Sequence, residues 1–281
     1  MGAQLLAFSH IEKAAGTTFI HVLRRAFPLS YIDARPMSKG HGNVLSDDDL
    51  GTLLSCNPMA KAIGGHSVYP YTSLGVPDRE LRYVTLLREP VSRTVSHFRF
   101  WRHRMGHQHS AEEFLEHPVS TNFQVRKIAG TDDIDKAKDM ICSRFLLAGT
   151  VERFDEFLLL FSRFAGLPRQ SLVYSRENTA DRSSHLDVPA DFESRIAAQN
   201  ELDIALYEWV TNELRASYIA RFGSDFESQL VEFQEQVRTT GVPRAREWLS
   251  NFYRGLWLKP VSGLIRVRNG LTYSGVYAAE R

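Results

Sequence analysis

One run constrains this chain more than any other: Phe8-Ser-His-Ile-Glu-Lys-Ala-Ala-Gly-Thr-Thr-Phe19. Leu5 to Ile11 reads as a short buried strand and Ala14 to Thr18 as a small-residue turn. From Thr17 a helix is expected, with apolar residues at Phe19, Ile20, Leu23, Ala26 and Phe27, spaced mostly by three and four. A strand, a tight loop carrying a lysine and then a helix N-terminus is a recipe for holding an anion. Backbone N–H groups and the positive end of the helix dipole point at the ligand. Gly16 is expected to let the backbone come close, and Thr17 and Thr18 to add hydroxyl donors. The run is not the ATP/GTP loop G-x-x-x-x-G-K-[ST], because Lys13 precedes the glycine by three positions instead of following it.

The order K-x-x-G-T-T resembles the 5′-phosphosulfate loop of PAPS-dependent sulfotransferases. The likeness is to the glycan-modifying, heparan sulfate 2-O-sulfotransferase-like branch and its bacterial relatives, which often show H-I-P-K-T-A-G-T-T here. The chain departs from that pattern at Glu12, usually proline, and at Ala14, usually threonine. Ala14 lacks a hydroxyl for the phosphate, and Glu12 brings a negative charge whose side chain is expected to point away. A second match follows about 70 residues on. Arg82 to Arg88 reads as a buried strand, and Glu89-Pro90 opens a helix through Val91, Val95 and Phe98. Arg88-Glu-Pro-Val-Ser-Arg-Thr-Val-Ser96-His-Phe resembles the family's 3′-phosphate signature, L-R-D-P-V-x-R-x-x-S-H-[YF]. The resemblance implies that Arg88 and Ser96 hold the 3′-phosphate, with Ser92 and Arg93 nearby. A strand-end arginine suits that role, since its planar fork matches a phosphate.

Between the two motifs stands Gly64-Gly-His66, after the apolar segment Ala60 to Ile63. The family carries a G-H pair here, which implies His66 as the catalytic base. Asn122-Phe-Gln124, Gly149 to Phe154, Glu177-Asn-Thr179 with Arg182, and Asn200 to Tyr207 also look like family landmarks. The resemblance covers roughly residues 4 to 222. It implies Lys13 and His66 as catalytic groups. Lys13, Ala14, Ala15, Gly16, Thr17, Thr18, Arg88, Ser96 and Arg182 are implied to bind PAPS as co-substrate, with Arg182 on a loop that closes over the nucleotide. No metal is required. His10 and His97 read as structural. His103 and His107, four apart with His109 close by, have a metal-capable spacing, but Gly106 interrupts the segment and no cysteine is near. Arg99-Phe-Trp-Arg-His-Arg104 reads as a solvated helix face, with recognition of an anionic or sugar acceptor as the alternative.

Further along, a partial strand is expected near Tyr31 and a short helix after Ser46-Asp-Asp-Asp. Helices are expected near Ala111 to Glu116, over Ile134 to Phe145 and over Glu152 to Phe164. Ser171 to Tyr174 reads as a short strand, and Asp191 to Arg221 as two helices. Alternating strands and helices predict an α/β, P-loop-like three-layer fold with a mostly parallel central sheet. Residues 1–224 form the predicted sulfotransferase domain. Residues 225–281 read as an appendage of unknown role, with helices at Phe226 to Thr239 and Ala245 to Phe252 and a β-like tail around Leu264 to Arg268 and Leu271 to Tyr273.

A net charge of +1 gives no bulk argument for nucleic acid. Cys56 and Cys142 lie outside any metal or redox spacing and fit a reducing compartment. No stretch approaches a membrane span, and the N-terminus shows no signal-peptide pattern. A cytoplasmic, bacterial-type enzyme is therefore expected. The expected reaction is sulfuryl transfer to an acceptor hydroxyl, a saccharide or glycolipid first, with a small metabolite or peptide tyrosine as further options. Two alternatives stay open: a catalytically inactive nucleotide-binding or scaffold protein of the same fold, and an ATP/GTP-dependent P-loop kinase. A homo-oligomer is also left open.

Overall fold

The computed structural model describes residues 3–40, 42–76, 79–104, 110–175 and 188–271. Its first half is a strand–helix alternation: β1 (Ala3–Ser9), α1 (Gly16–Ala26), β2 (Tyr31–Asp33), α2 (Asp47–Cys56), β3 (Ala62–Gly65), β4 (Arg79–Leu87) and α3 (Pro90–Arg104). Then come α4 (Ala111–Glu116), α5 (Phe123–Ala129), α6 (Ile134–Arg144), β5 (Phe145–Thr150) and α7 (Phe154–Ala165). The rest is helical: α8 (Phe192–Gln199), α9 (Glu201–Trp209), α10 (Arg215–Phe222), α11 (Phe226–Thr239), α12 (Arg244–Tyr253) and α13 (Lys259–Arg268).

All five strands are parallel, in the order β2-β3-β1-β4-β5. Helices flank the sheet, giving the predicted three-layer α/β architecture. β1 can sit at the centre because it is apolar on both faces: Leu5, Leu6, Ala7 and Phe8 are all buried. Buried hydroxyls tie the layers locally. Thr85 Oγ1 donates to Ser9 O at 2.9 Å, and Ser9 Oγ to Val68 O at 2.9 Å. Phe98, Trp101, Ala111, Phe114, Leu115, Phe192 and Ile196 form a separate small core beneath α3, α4 and α8. Trp101 of the arginine- and aromatic-rich run on α3 is thus a core residue, and Phe100 packs against the same core, so this side of the run is not a solvated face.

Three elements differ from those expected. Phe145 does not end a helix. It opens β5 directly after Arg144, with no glycine or proline between them to mark the change. Ser171 to Tyr174 is not a strand. Arg169–Leu172 is a 3₁₀ turn after Pro168, closed by Ser171 Oγ donating to Pro168 O at 2.7 Å. Leu264 to Arg268 is helical, not β-like. Its alternating Arg-Val-Arg suggested a strand, but Leu258, Ile265 and Asn269 turn inward at helical spacing.

The C-terminal helices share the main core through Phe226, Phe233 and Leu258. They are also fastened by polar bonds to one flank of the sheet. Arg246 donates to the last carbonyls of α1, Arg25 O at 2.7 Å and Ala26 O at 3.0 Å. Tyr253 Oη donates to Asn57 Oδ1 at 2.7 Å, and Asn269 Nδ2 to Met37 O at 2.7 Å. Asp33, at the end of edge strand β2, pairs with Arg24 at 2.7 Å and with Arg254 at 2.7 Å. Covering an edge strand this way blocks pairing with a foreign strand.

Burial alone would raise the Asp33 carboxyl, but Arg24 and Arg254 hold it below its usual value. Its contribution to stability is therefore complete above about pH 4 and is lost as the pH falls further. Asp33→Asn is expected to cost about 2–3 kcal/mol at neutral pH, and to flatten the fall in stability below about pH 4. Urea unfolding of both proteins across that pH range checks this.

Candidate functional site

β1 and β4 are neighbours, but the chain leaves them in opposite directions. After β1 it passes through α1 to β2 on one flank, and after β4 it passes through α3 to α6 and reaches β5 on the other. The carboxyl ends of such a pair bound the crevice where open α/β sheets bind ligands. The loops that leave these two ends carry Lys13 and Arg88.

The first loop is strained. Lys13 has φ 67° and Ala15 φ 53°, left-handed values that side chains avoid. Asn122, at φ 41°, is the one other such non-glycine among the described residues, and it belongs to the support of the second loop. Ala14 turns its methyl into the core, so its backbone is what faces the loop. Thr17 is exposed and Thr18 half-buried. Among the described residues no side chain caps α1, and its first turn holds no acid. Its leading N–H groups thus suit an anion. Gly16 is also needed for a packing reason. A Cβ there would lie 1.8 Å from the His10 ring, so the missing side chain makes room for a buried imidazole.

The two loops touch. Arg88 Nη1 donates to Lys13 O at 3.1 Å, across 75 residues of sequence. Lys13 Nζ lies 4.4 Å from the centre of the Phe100 ring on α3. Arg88 is itself held by Gln124, whose Oε1 accepts from Arg88 N at 3.0 Å and whose Nε2 donates to Arg88 O at 2.9 Å. Behind it, the buried Asp203 carboxylate accepts from Gln124 N at 3.0 Å and Val125 N at 2.8 Å, in effect capping α5. Asn122 N donates to Asn200 Oδ1 at 2.9 Å, and Leu202 N to Asn122 Oδ1 at 3.2 Å. The Asn122–Gln124 and Asn200–Tyr207 landmarks thus position Arg88.

His66 follows β3 and stacks on His10 with ring centres 3.9 Å apart, and His10 stacks in turn on Phe8. Glu12 Oε1 lies 2.9 Å from His66 Nδ1. This corrects the expectation for Glu12, which turns into the site and meets a predicted catalytic residue. Lys127 on α5 is buried, donates to His66 O and lies 3.6 Å from the centre of the Tyr69 ring. Burial works against the Glu12 charge, but Lys127 and the adjacent His66 ring hold its carboxyl well below the usual carboxylate range. Burial also pushes the Lys127 ammonium down, with Glu12 opposing. His10 is held well below its usual value by burial and by His66.

Other predicted residues fall elsewhere. Arg93 is fully buried, donating to Val119 O at 2.7 Å and packed over Phe123. Glu89 caps α3, accepting from Val91 N at 2.9 Å and Ser92 N at 2.7 Å. Ser96 is half-buried on the second turn of α3. His97 is buried against Trp101 and Phe114, and burial takes its imidazole down to about 3. Glu177, Asn178, Thr179, Arg182, His107 and His109, with the His103 side chain, lie outside the described residues.

Sequence reasoning missed Lys127 and the parts played by Glu12, Gln124 and Asp203. The one available signal for Lys127 was its place among the inward positions 124, 125 and 128 of a short amphipathic helix. Comparison with protein-family models finds no match, and comparison with curated proteins finds none.

Gly16→Ala is expected to destabilise the protein by about 1–3 kcal/mol, because the stacked His10 ring has no room to retreat. The cost should shrink in a His10→Ala background, since the clash partner is then gone. Denaturant unfolding of the single and double variants measures both.

Proposed function

We propose that this chain is a sulfotransferase that moves a sulfuryl group from PAPS to an acceptor hydroxyl, giving PAP and a sulfate ester. The observation that carries the reading is the bond from Arg88 to the Lys13 carbonyl. It joins the two motifs that resemble the family's 5′- and 3′-phosphate loops at the crevice between β1 and β4. The uncapped, acid-free first turn of α1 suits the 5′-phosphate end of such a ligand. A guanidinium has five N–H donors, so the bond to Lys13 and a phosphate contact by Arg88 are compatible.

In this reading PAPS supplies an activated sulfuryl group, and the chain's work is positioning and charge stabilisation. Lys13 and the N–H groups of Gly16, Thr17 and Thr18 offset charge that grows on the leaving bisphosphate. Arg88 and Ser96 read the 3′-phosphate and reject nucleotides that lack it. His66 takes the acceptor's proton through Nε2. Glu12, 2.9 Å from Nδ1, orients the ring for that step and stabilises the imidazolium that forms. Lys127 keeps Glu12 ionised. The family resemblance supports a saccharide or glycolipid hydroxyl as acceptor and a cytoplasmic bacterial setting.

Titration calorimetry with PAP, with ATP and 5′-AMP as controls, tests the reading. PAP is expected to bind more tightly than either control, and Arg88→Ala to weaken it about 10- to 100-fold. ATP binding as tightly as PAP would favour a kinase, and no PAP binding would sink the proposal. With PAPS and a working acceptor, Lys13→Ala is expected to cut turnover about 10²–10³-fold, and His66→Ala about 10²–10⁴-fold with PAP affinity kept.

Glu12→Gln gives a separate check on the dyad. It should lower kcat tenfold or more, roughly, with PAP binding unchanged, while Glu12→Asp keeps part of the rate. Equal rates for Glu12→Gln and the parent would remove Glu12 from the mechanism.

A further inference from the structure

The second half of the C-terminal segment has its amphipathicity reversed. Trp248, Phe252, Leu256, Pro260 and Leu264 recur at every fourth position of α12 and α13, and all are exposed. Trp248 is 65% accessible, Leu256 66% and Leu264 73%. In a straight α-helix, positions four apart drift by about 40° a step. Here a π-helical turn at Arg254–Leu258 carries about one extra residue and takes back most of that drift, so the five side chains form one stripe. Trp257 and Val267, also exposed, border it. The inward side does the fastening through Arg246, Tyr253, Arg254 and Asn269.

Charge distinguishes the occupants. Residues 244–271 hold five arginines and one lysine against the single Glu247, a net +5 in a chain whose total is +1. Arg246, Arg254 and Arg266 are used inward. Arg244, Lys259 and Arg268 are exposed along the stripe, and Lys39, also exposed, lies beside Gly270 at its end. A second copy docked by a two-fold axis would bring these cations against their own equivalents, with only the half-buried Glu247 to answer them. Anionic headgroups answer them directly, and tryptophan beside exposed cations is the composition of helices that lie in a membrane interface. No helix among the described residues is long and apolar enough to cross a bilayer, so such contact stays at the surface.

We propose that the outward face of α12 and α13 is a peripheral membrane-binding surface that seats its apolar stripe in a bilayer rich in anionic lipid. The site between β1 and β4 takes no part in this, so the proposal stands whether or not the chain transfers sulfate.

The test is co-sedimentation of the full chain with phosphatidylcholine vesicles and with vesicles containing phosphatidylglycerol, at low and high salt. Binding is expected to the anionic vesicles, at least about tenfold tighter than to the zwitterionic ones and weakened by salt. The double variant Trp248→Ser/Leu256→Ser should lose about tenfold or more of that binding. Lys259→Glu/Arg268→Glu should lose it with the stripe intact. Both changes are on exposed positions, and unaltered thermal unfolding verifies the fold. Three results would overturn the proposal. One is no binding to either vesicle, as expected if the chain itself covers the stripe. Another is equal, salt-insensitive binding to both. The third is a dimer in light scattering that Trp248→Ser/Leu256→Ser converts to monomer, which would make the face a contact between copies.

Discussion

Strand β1 is the constraint from which the rest follows. It pairs with β4 along Ala3 to Ser9 and with β3 along Leu6 to Ser9, so most of its length is bonded on both sides. Its side chains are buried above and below the sheet. A strand held this tightly gives the loop after it a fixed origin. That is what allows Lys13 and Ala15 to be kept in left-handed conformations, each of which costs about 1–3 kcal/mol. The stack Phe8–His10–His66 then carries the order of β1 across to the end of β3.

The electrostatics beneath that stack are self-contained. Glu12 and Lys127 are a buried anion and cation, and each disfavours neutralisation of the other. Each charge is therefore answered within the protein. Removing Lys127 alone would strand Glu12 in a dry site, the arrangement in which buried charges are most costly. The departure at position 12 from the pattern the loop resembles is thus matched by a cation 115 positions further on, as the sequence numbering shows.

Local signals carried most of the fold. The helix at Asp47–Cys56 was legible from Ser46, which forms a full capping box with Asp49; helices at Ala111–Glu116 and Phe226–Thr239 also fall where they were expected, the second from its amphipathic pattern. β5 was not legible, because Phe145-Leu-Leu-Ala satisfies helix and buried-strand templates equally and follows α6 without punctuation. The positions of Lys13, Arg88 and His66 on three adjacent strand ends could be anticipated from strand and turn patterns. Their supports could not. Glu12 meets His66 across a loop and a strand, and Asp203 reaches Gln124 over 79 positions, separations on which periodicity is silent. Arg93, expected near the 3′-phosphate, shows the opposite limit: a charged residue beside a motif gives no sign of burial, yet its helix turns it into a core lined by Thr94, Val119 and Phe123.

Gln124 takes the place of a missing strand. At Arg88 the sheet has ended, since β4 stops at Leu87, yet both peptide groups of that residue are still bonded, one by the oxygen and one by the nitrogen of a single carboxamide. A side-chain amide is the same functional group as a peptide, so Gln124 serves as a strand one residue long, laid beside β4 to extend its order by one position. Only asparagine offers the same donor and acceptor side by side, and it is a methylene too short to span the gap. Hydrolysis of this amide to glutamate would remove the donor and set a negative oxygen against the Arg88 carbonyl. The chemical ageing of one buried side chain would then fray the end of the sheet.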